Sequence, residues 1–239
     1  MADAENGIAG VAPNVSIMPI KYYSESNSGA INLQNTIKAL NYAIDHGARV
    51  INYSGGGPEF AQEEYNSIKR AAAAGILVVA AAGNDHNDID KSENFYFPAS
   101  YRLPNIISVA ATDSDANLLS SSNWGRAHVD VAAPGEQIFS TLPNNRSGFM
   151  TGTSQATAFV SGIAAMLFAE DPTLTFTEVR EIIMNSVDQM PQLKTRLLSG
   201  GKVNAFAALK SLKSRIFKGK PAIVAEVKPR SLAEVLDSQ

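Results

Sequence analysis

The chain has 239 residues, of which 45% are hydrophobic, and a formal net charge of −3. This length and apolar fraction fit one globular domain with a sizeable core, while the charge gives no bulk attraction to nucleic acid or to an acidic membrane. Cysteine is absent, which excludes disulfides and thiolate metal sites. No apolar run approaches a membrane span, and the opening residues MADAENGIAG lack the features of a signal peptide.

Short apolar runs alternate along the chain with amphipathic ones. Strands are predicted at residues 15–21, 49–54, 76–84, 105–112, 128–135 and 137–142. Helices are predicted at 32–47, 60–75 and 154–170, and after a capping box of Thr175 and Glu178. Because strands alternate with helices and two strands are apolar on both faces, we predict a doubly wound, mostly parallel α/β sheet with helices on both faces.

Three segments depart from this regular pattern. Pro19 interrupts the first predicted strand, which favours an edge position or a broken ladder. A polar, glycine-containing loop is predicted at 144–152. Composition changes near the C-terminus, so we predict one domain over residues 1–210 and an appendage over 211–239, with its basic residues on a solvated surface.

Two polar side chains are predicted where open α/β sheets bind ligands, beyond the carboxyl ends of the strands. Ser154 begins the apolar helix of GTSQATAFVSG (152–162), and a helix N-terminus suits an oxyanion and an activated hydroxyl. An ordinary N-cap serine has the same local pattern. Asn84 leaves an apolar strand and can donate to an oxyanion, although an asparagine there also suits a simple turn.

Several segments, taken together, resemble motifs of the subtilisin-like serine proteases, the subtilases. GTSQATAFVSG (152–162) resembles their nucleophile motif, VVAAAGN (78–84) their oxyanion-asparagine strand, and VINYSGGGP (50–58) their substrate-binding strand and loop. NGIAGVAPNVSIMPIK (6–21) resembles the segment after their catalytic-histidine helix. The motifs FPASYRLPNIISVAATD, SSSNWG, VDVAAPG and GGKVNAFAAL continue in the family's order. The resemblance covers roughly residues 6–210 and implies a subtilisin-like three-layer sandwich.

The resemblance also implies roles for individual residues in a serine endopeptidase. Ser154 would attack the scissile carbonyl and form an acyl-enzyme, with its own N–H and the Asn84 amide stabilising the oxyanion. Main-chain pairing at a strand edge gives affinity for any extended peptide, while pockets give preference. The edge and the walls of the primary specificity pocket would be formed by Ser54, Gly55, Gly56, Ala81, Ala82 and Gly83. Gly55 stands where the family usually has leucine, so the resemblance does not determine the shape of the pocket.

The other two members of the family's catalytic triad are missing from the sequence. Subtilases run Asp, His, Ser in chain order, with the aspartate before Ser/Thr-Gly and the histidine in His-Gly-Thr-His, and neither motif occurs here. We expect His46 and His128 to be solvated, and His86 to lie in a loop rather than serve as the base. Asp113 begins an Asp-Ser pair but lacks the glycine and follows the wrong strand.

This gap has two predicted consequences. Without a base the serine hydroxyl is a poor nucleophile, so we expect the chain alone to be nearly inactive. In the family the aspartate strand lies between the counterparts of 15–21 and 49–53, and its loss opens a gap of about 10 Å at roughly 4.8 Å per strand. Either the two strands close up, another chain fills the slot, or the isolated chain is poorly stable.

No cofactor or metal is expected, with calcium as an outside possibility. The carboxylates of NDHNDIDKSEN (84–94) lack the glycine of a compact calcium loop. The calcium loop that the resemblance implies would fall near Ala4–Ile8, where its segment is cut short.

Four hypotheses stay open on the sequence alone. They are a serine endopeptidase whose first part is missing, one piece of a two-chain protease, a non-catalytic peptide-binding pseudoprotease, and a different hydrolase. The expected partners are an extended peptide or protein substrate and a missing N-terminal segment or second chain, but neither nucleic acid nor membrane. A secreted or periplasmic location is implied by the resemblance alone.

Overall fold

The centre of the molecule is a six-stranded sheet. The computed structural model describes residues 2–3 and 7–218. In chain order the strands are β1 (Ala2–Asp3), β2 (Ile8–Ala9), β3 (Val50–Tyr53), β4 (Leu77–Ala81), β5 (Ile106–Thr112), β6 (Val131–Pro134), β7 (Ile138–Leu142), β8 (Arg146–Met150), β9 (Asp188–Gln189) and β10 (Gly201–Lys202). The helices are α1 (Gly29–Asp45), α2 (Gln62–Ala73), α3 (Thr153–Glu170), α4 (Phe176–Asn185) and α5 (Ala205–Lys218), with short 3-10 helices at Ser92–Asn94 and Ala99–Tyr101.

The strands of the main sheet are almost all parallel. Their spatial order is β3-β4-β5-β6-β10-β9, and β9 is the one strand of this sheet that runs antiparallel to its neighbour. Two separate antiparallel ribbons pair β1 with β2 and β7 with β8. The predicted α/β fold with a mostly parallel sheet is therefore confirmed.

Helices cover both faces of the sheet because the central strands are apolar on both sides. In β4, Leu77 and Val79 pack in the cluster formed with α3, α4 and α5, whereas Val78 and Ala80 pack with α1 and α2. Every residue of β4 and β5 is buried, as expected for parallel strands between two helical layers. Helix α3 packs against β3, β4, β5 and β6 and so spans the sheet.

The predicted start of α4 is confirmed. Thr175 is its N-cap and accepts a hydrogen bond from the Glu178 N–H, while the Glu178 carboxylate accepts one from the Thr175 N–H. This reciprocal pair satisfies two of the donors that a helix start leaves without partners.

The prediction of a strand at 15–21 is wrong. Residues 16–23 form no ladder, and Ile17, Met18 and Tyr23 are 54%, 41% and 56% exposed. Within the described residues, nothing pairs with the outer edge of β3. A β-strand needs a neighbouring strand to pair its backbone N–H and C=O groups, and residues 16–23 have none, so this segment is irregular. β3 is consequently an edge strand and only partly buried, whereas a buried strand was predicted at 49–54.

The prediction of a loop at 144–152 is also wrong, because most of these residues form strand β8. Leu142 lies opposite Arg146 and Ile138 opposite Met150, so β7 and β8 form a hairpin. Asn144 and Asn145 turn the chain with φ of 63° and 55°, a conformation that asparagine tolerates better than most residues.

The C-terminal helix α5 continues across residue 210 to Lys218. Leu212 is 1% exposed and belongs to the core cluster around α3. The division into a domain over 1–210 and an appendage over 211–239 stays a prediction, and residues 219–239 lie outside the described part of the chain. Over the residues that the structure describes, no helix combines the length and the apolarity needed to cross a bilayer.

Candidate active site

Ser154 lies where helix α3 meets the carboxyl end of β3. Its Oγ donates a hydrogen bond of 2.9 Å to the carbonyl oxygen of Ser54, and the Ser54 Oγ donates one of 3.1 Å to the carbonyl oxygen of Ser154. Because Ser54 directly follows β3, these two hydrogen bonds connect the start of helix α3 to the end of that strand. Gly152, the N-cap, has φ of +154°, which favours glycine.

Asn84 lies against the same helix start, although it is distant in sequence. Its Oδ1 accepts hydrogen bonds from the Thr153 N–H at 2.9 Å and from the Thr153 Oγ1 at 3.2 Å. With the oxygen held by these two donors, the Nδ2 has no partner among the residues that the structure describes. The residue is exposed. The structure therefore brings Ser154 and Asn84 together with an amide N–H group free to bind an added oxygen.

Asn123, which sequence reasoning did not single out, organises the turn that holds Asn84. It is 1% exposed, its Nδ2 donates to the Ala82 carbonyl at 2.9 Å, and its Oδ1 accepts from the N–H groups of Asp85 and Asn87. A buried amide that satisfies three backbone groups fixes the loop geometry. The motif SSSNWG was a visible signal, but its role depends on contacts across the fold.

A buried carboxylate holds the end of β3 in place. The Tyr53 hydroxyl donates to Glu64, and the Tyr101 hydroxyl donates to the same carboxylate at 2.8 Å. Glu64 is 4% exposed. Burial raises the pKa of Glu64 above its usual range, and the two phenol donors oppose that rise only in part. Since Tyr53 precedes Ser54, this cluster also positions the carbonyl that Ser154 contacts.

The six residues assigned to substrate binding form two neighbouring segments. Because β3 and β4 are parallel neighbours, the segments that follow them emerge at the same edge of the sheet. Gly55 is half-buried and Gly56 exposed, whereas Ala81, Ala82 and Gly83 are buried. The segment 54–56 therefore lies at the surface, in contact with Ser154 through Ser54. The segment 81–83 is buried next to it.

The opposite side of Ser154 is open. A cavity of about 1430 Å³ lies between α1, the free edge of β3, α3 and the segment 8–22, and Ser154 is part of its lining. Its other walls are mainly apolar, with Ile17, Met18 and Phe159 among the lining residues.

The three histidines make their contacts elsewhere. His46 caps the end of α1, bonded through Nδ1 to the Tyr42 carbonyl at 2.8 Å and stacked on the Tyr42 ring. His86 is exposed in the turn after Asn84. His128, expected to be solvated, instead has a side chain only 9% exposed, and its Nδ1 is hydrogen-bonded to the Asp90 Oδ1 at 2.9 Å. Within the described chain, the Ser154 Oγ is hydrogen-bonded to a carbonyl and to no imidazole.

The carboxylates of residues 84–94 hold backbone groups in place. Asp90 accepts bonds from the N–H groups of Ala127 and His128, and Asp88 accepts one from the Asp90 N–H. In the described residues, no group of three or more His, Asp or Glu side chains is arranged to hold a metal ion. The expectation that the chain needs no cofactor, with calcium as the alternative, stays a prediction. The other calcium candidate, near Ala4–Ile8, includes residues 4–6, which lie outside the described part.

Comparisons with known proteins agree on one family. The sequence profile of the subtilase family, peptidase S8, matches residues 1–207. Subtilisin DY from Bacillus licheniformis is 36% identical over 188 residues, which are 79% of this chain and 66% of that protein. The major intracellular serine protease of Bacillus subtilis is 38% identical over 165 residues, 69% of this chain and 50% of that protein.

A solved structure of the subtilase cytotoxin SubAB assembly has a similar fold. It superposes with a TM-score of 0.76 at 28% identity, covering 88% of this chain and 73% of that one. The matched part of this chain thus spans between half and two thirds of the length of the two curated relatives described above.

Proposed function

This chain belongs to the subtilase family, and we propose that it carries the nucleophile and the oxyanion donor of a serine endopeptidase. The observation that carries the proposal is the joining of two distant segments: Thr153, next to Ser154, donates two hydrogen bonds to Asn84. Because Thr153 engages the Asn84 oxygen, the Asn84 Nδ2 is left to serve, together with the Ser154 N–H, as the oxyanion donor pair of this proposal.

In the proposed reaction, the Ser154 Oγ attacks the scissile carbonyl carbon and its proton passes to a base. The oxygen of the tetrahedral intermediate accepts hydrogen bonds from Asn84 and from the Ser154 N–H. When the C–N bond breaks, the base returns the proton to the leaving amine and an acyl-enzyme remains on Ser154. Water then hydrolyses the acyl-enzyme by the reverse use of the same groups.

Among the described residues, no side chain that could act as the base is hydrogen-bonded to the Ser154 hydroxyl. The Ser154 hydroxyl donates to the Ser54 carbonyl, and an amide carbonyl does not take up a proton at neutral pH. We infer that the chain alone is nearly inactive, since removing a triad member from a serine protease costs roughly 10⁴–10⁶-fold in turnover. Aspartate and histidine would come from a segment outside these 239 residues or from a second chain.

The free edge of β3 supports a place for that segment. A parallel strand added beside β3 would end at the same edge of the sheet as Ser54, because parallel strands share the position of their carboxyl ends. A side chain at that end would face the cavity that Ser154 lines. The unpaired N–H and C=O groups of β3 would gain partners at the same time.

The substrate in this proposal is an extended peptide or protein segment. It would pair with Ser54, Gly55 and Gly56 by β-augmentation. A secreted or periplasmic location stays a prediction, and one of the similar proteins is named as intracellular.

Labelling with a fluorophosphonate tests the proposal. The chain is treated alone and together with an N-terminal fragment that carries the Asp-Ser/Thr-Gly and His-Gly-Thr-His motifs, taken from the reading frame ahead of Met1 or from subtilisin DY. We expect strong labelling only in the combined sample, on Ser154, and none in Ser154→Ala or when the fragment's histidine is replaced by alanine.

Equal labelling of the chain alone would contradict the missing-base argument. No labelling of the combined sample, with peptide binding that survives Ser154→Ala, would favour the non-catalytic peptide-binding protein.

A further inference from the structure

Tyr96 is held by its backbone next to the two segments assigned to substrate binding. Its neighbour Phe97 pairs with Gly57 through two hydrogen bonds, Gly57 N–H to the Phe97 carbonyl at 3.0 Å and Phe97 N–H to the Gly57 carbonyl at 2.8 Å. The Tyr96 N–H donates to the Ser100 Oγ at 3.0 Å, and the Ser100 N–H donates to the Tyr96 carbonyl at 2.8 Å. The backbone at Tyr96 is therefore held on both sides of the residue.

The ring of Tyr96 lies between those segments. A Cβ placed on Gly56 would overlap the Tyr96 Cε1, and one placed on Gly83 would come within 3.0 Å of its Cδ2 and Cε2. Cε1 belongs to one edge of the ring and Cδ2 and Cε2 to the other. The phenol thus fills the space between Gly56 on one wall and Gly83 on the other, and it does so because both positions lack a side chain.

Other features of the ring agree with a filled pocket. Tyr96 is half-buried, and it packs on the cluster that contains Ala82. Burial, followed by the nearby charge of Asp85 and by Tyr22, raises the pKa of the Tyr96 phenol, so it stays neutral at physiological pH. Tyr22 lies near the segment that contains Gly56, since its hydroxyl is 2.9 Å from where a Gly55 Cβ would stand.

We propose that Tyr96 closes the primary specificity pocket and restricts the cleaved residue to a small side chain, glycine, alanine or serine. The inference rests on the proposed function, which makes these two segments the walls of that pocket. An aromatic substrate side chain and the Tyr96 ring would need the same volume, and packed interiors do not admit both. Tyr96→Gly, which replaces the whole side chain by hydrogen, would open a cavity that accepts an aromatic side chain of the substrate.

The test compares two peptide aldehydes that share an acetyl-Ala-Ala-Pro sequence and end in alanine or phenylalanine. Their affinities for the full chain are measured by calorimetry, alone and with the N-terminal fragment. We expect the alanine ligand to bind the unmodified protein roughly tenfold or more tightly than the phenylalanine ligand. Tyr96→Gly should reverse that order, whereas Tyr23→Gly, which removes a tyrosine that is 56% exposed, should not.

Equal binding of the two ligands by the unmodified protein, or a preference for phenylalanine, would overturn the inference and leave the proposed function intact. If Tyr96→Gly does not fold, as judged by circular dichroism, Tyr96→Ala takes its place, and the comparison on the unmodified protein decides by itself.

A separate probe distinguishes this inference from the proposed function. p-Cresol has the size of the missing side chain and needs no serine chemistry, since an apolar cavity binds a matching aromatic ligand. We expect it to bind Tyr96→Gly and not the unmodified chain. If neither aldehyde binds but p-cresol does, the proposed function fails while the filled pocket stands. If p-cresol does not bind the folded variant, the inference is wrong.

Discussion

The two sides of Ser154 differ in how completely they are built. On the closed side, formed by β4, β5 and β6 with helices α3, α4 and α5, the strands are buried throughout or nearly so, and Asn84 and Asn123 are tied into the backbone. On the open side, formed by α1, the outer edge of β3 and the segment 8–22, apolar side chains such as Ile17 face a cavity. The comparison indicates that the side of the candidate site that holds Ser154 and Asn84 is closely packed in the described chain, whereas the side where the proposed base would lie is not.

The largest expected effect compares stability on the two sides. Leu77→Ala, in a strand with 0% exposure at that residue, should lower the free energy of unfolding by about 2–5 kcal/mol, because it leaves a cavity in a packed core. Ile17→Ala on the open side should change it by less than about 0.5 kcal/mol. Urea unfolding followed by circular dichroism measures both. A similar loss for Ile17→Ala would show that the open side is packed in solution.

The next effect concerns the oxyanion donor. Asn84→Ala, in the chain combined with the N-terminal fragment, should slow acylation of Ser154 by about 10²–10³-fold, the size such a donor has in this family. Asn87→Ala in the same loop is the matched control and should leave the rate within a fewfold. The rate of fluorophosphonate labelling gives the comparison. An unchanged rate in Asn84→Ala would remove Asn84 from the mechanism.

A pH effect is expected from the carboxylate that holds the end of β3. Burial raises the pKa of Glu64 above its ordinary value of 4.5, so between 4.5 and the raised value the folded chain binds more protons than the unfolded chain. The stability that Glu64 contributes is therefore fully present below pH 4.5 and falls as pH rises through the folded pKa.

Glu64→Gln removes this titration, so its stability relative to the unmodified chain should improve as pH rises across that range. Thermal unfolding at a series of pH values measures the difference. The exposed neighbour variant Glu63→Gln should show no such trend. A difference between Glu64→Gln and the unmodified chain that stays constant with pH would contradict the raised pKa.

The smallest expected effect compares a helix cap on each side. Thr175→Ala breaks the capping box of α4 and should cost about 1 kcal/mol of unfolding free energy. Ser28→Ala removes the cap of α1, which makes a single bond of 3.3 Å to the Ile31 N–H, and should cost less. Urea midpoints at constant slope measure both changes. A larger loss for Ser28→Ala would indicate that α1 is as firmly held as α4.

Elements with strong local signals were predicted well. The apolar runs of β4 and β5, the helix α3 and the capping box of α4 all appear within a few residues of their predicted places. The predicted strand at 15–21 failed because strand formation needs a neighbour, and β3 has none on that side in the described chain. The β7–β8 hairpin was missed because its paired asparagine turn, Asn144 and Asn145, was interpreted as a loop.

The candidate site divides in the same way. Ser154 and Asn84 were proposed from short motifs, since each lies in a recognisable segment of the sequence. Glu64, Tyr96 and Asn123 were not, because each acts through residues that are far away in the chain: Glu64 through Tyr101 and Tyr53, Tyr96 between Gly56 and Gly83, and Asn123 on the turn after β4.

By itself, the sequence determined the α/β alternation, the family resemblance and the absence of the aspartate and histidine motifs, because periodicity and short motifs are local properties of the chain. Only the tertiary structure decided that Asn84 accepts from the residue before Ser154. It also decided that no described strand pairs with the outer edge of β3, which borders a cavity of about 1430 Å³, and that Tyr96 occupies the space between Gly56 and Gly83. Each of these depends on parallel strands that bring distant residues to one edge of the sheet, and no local pattern encodes that meeting.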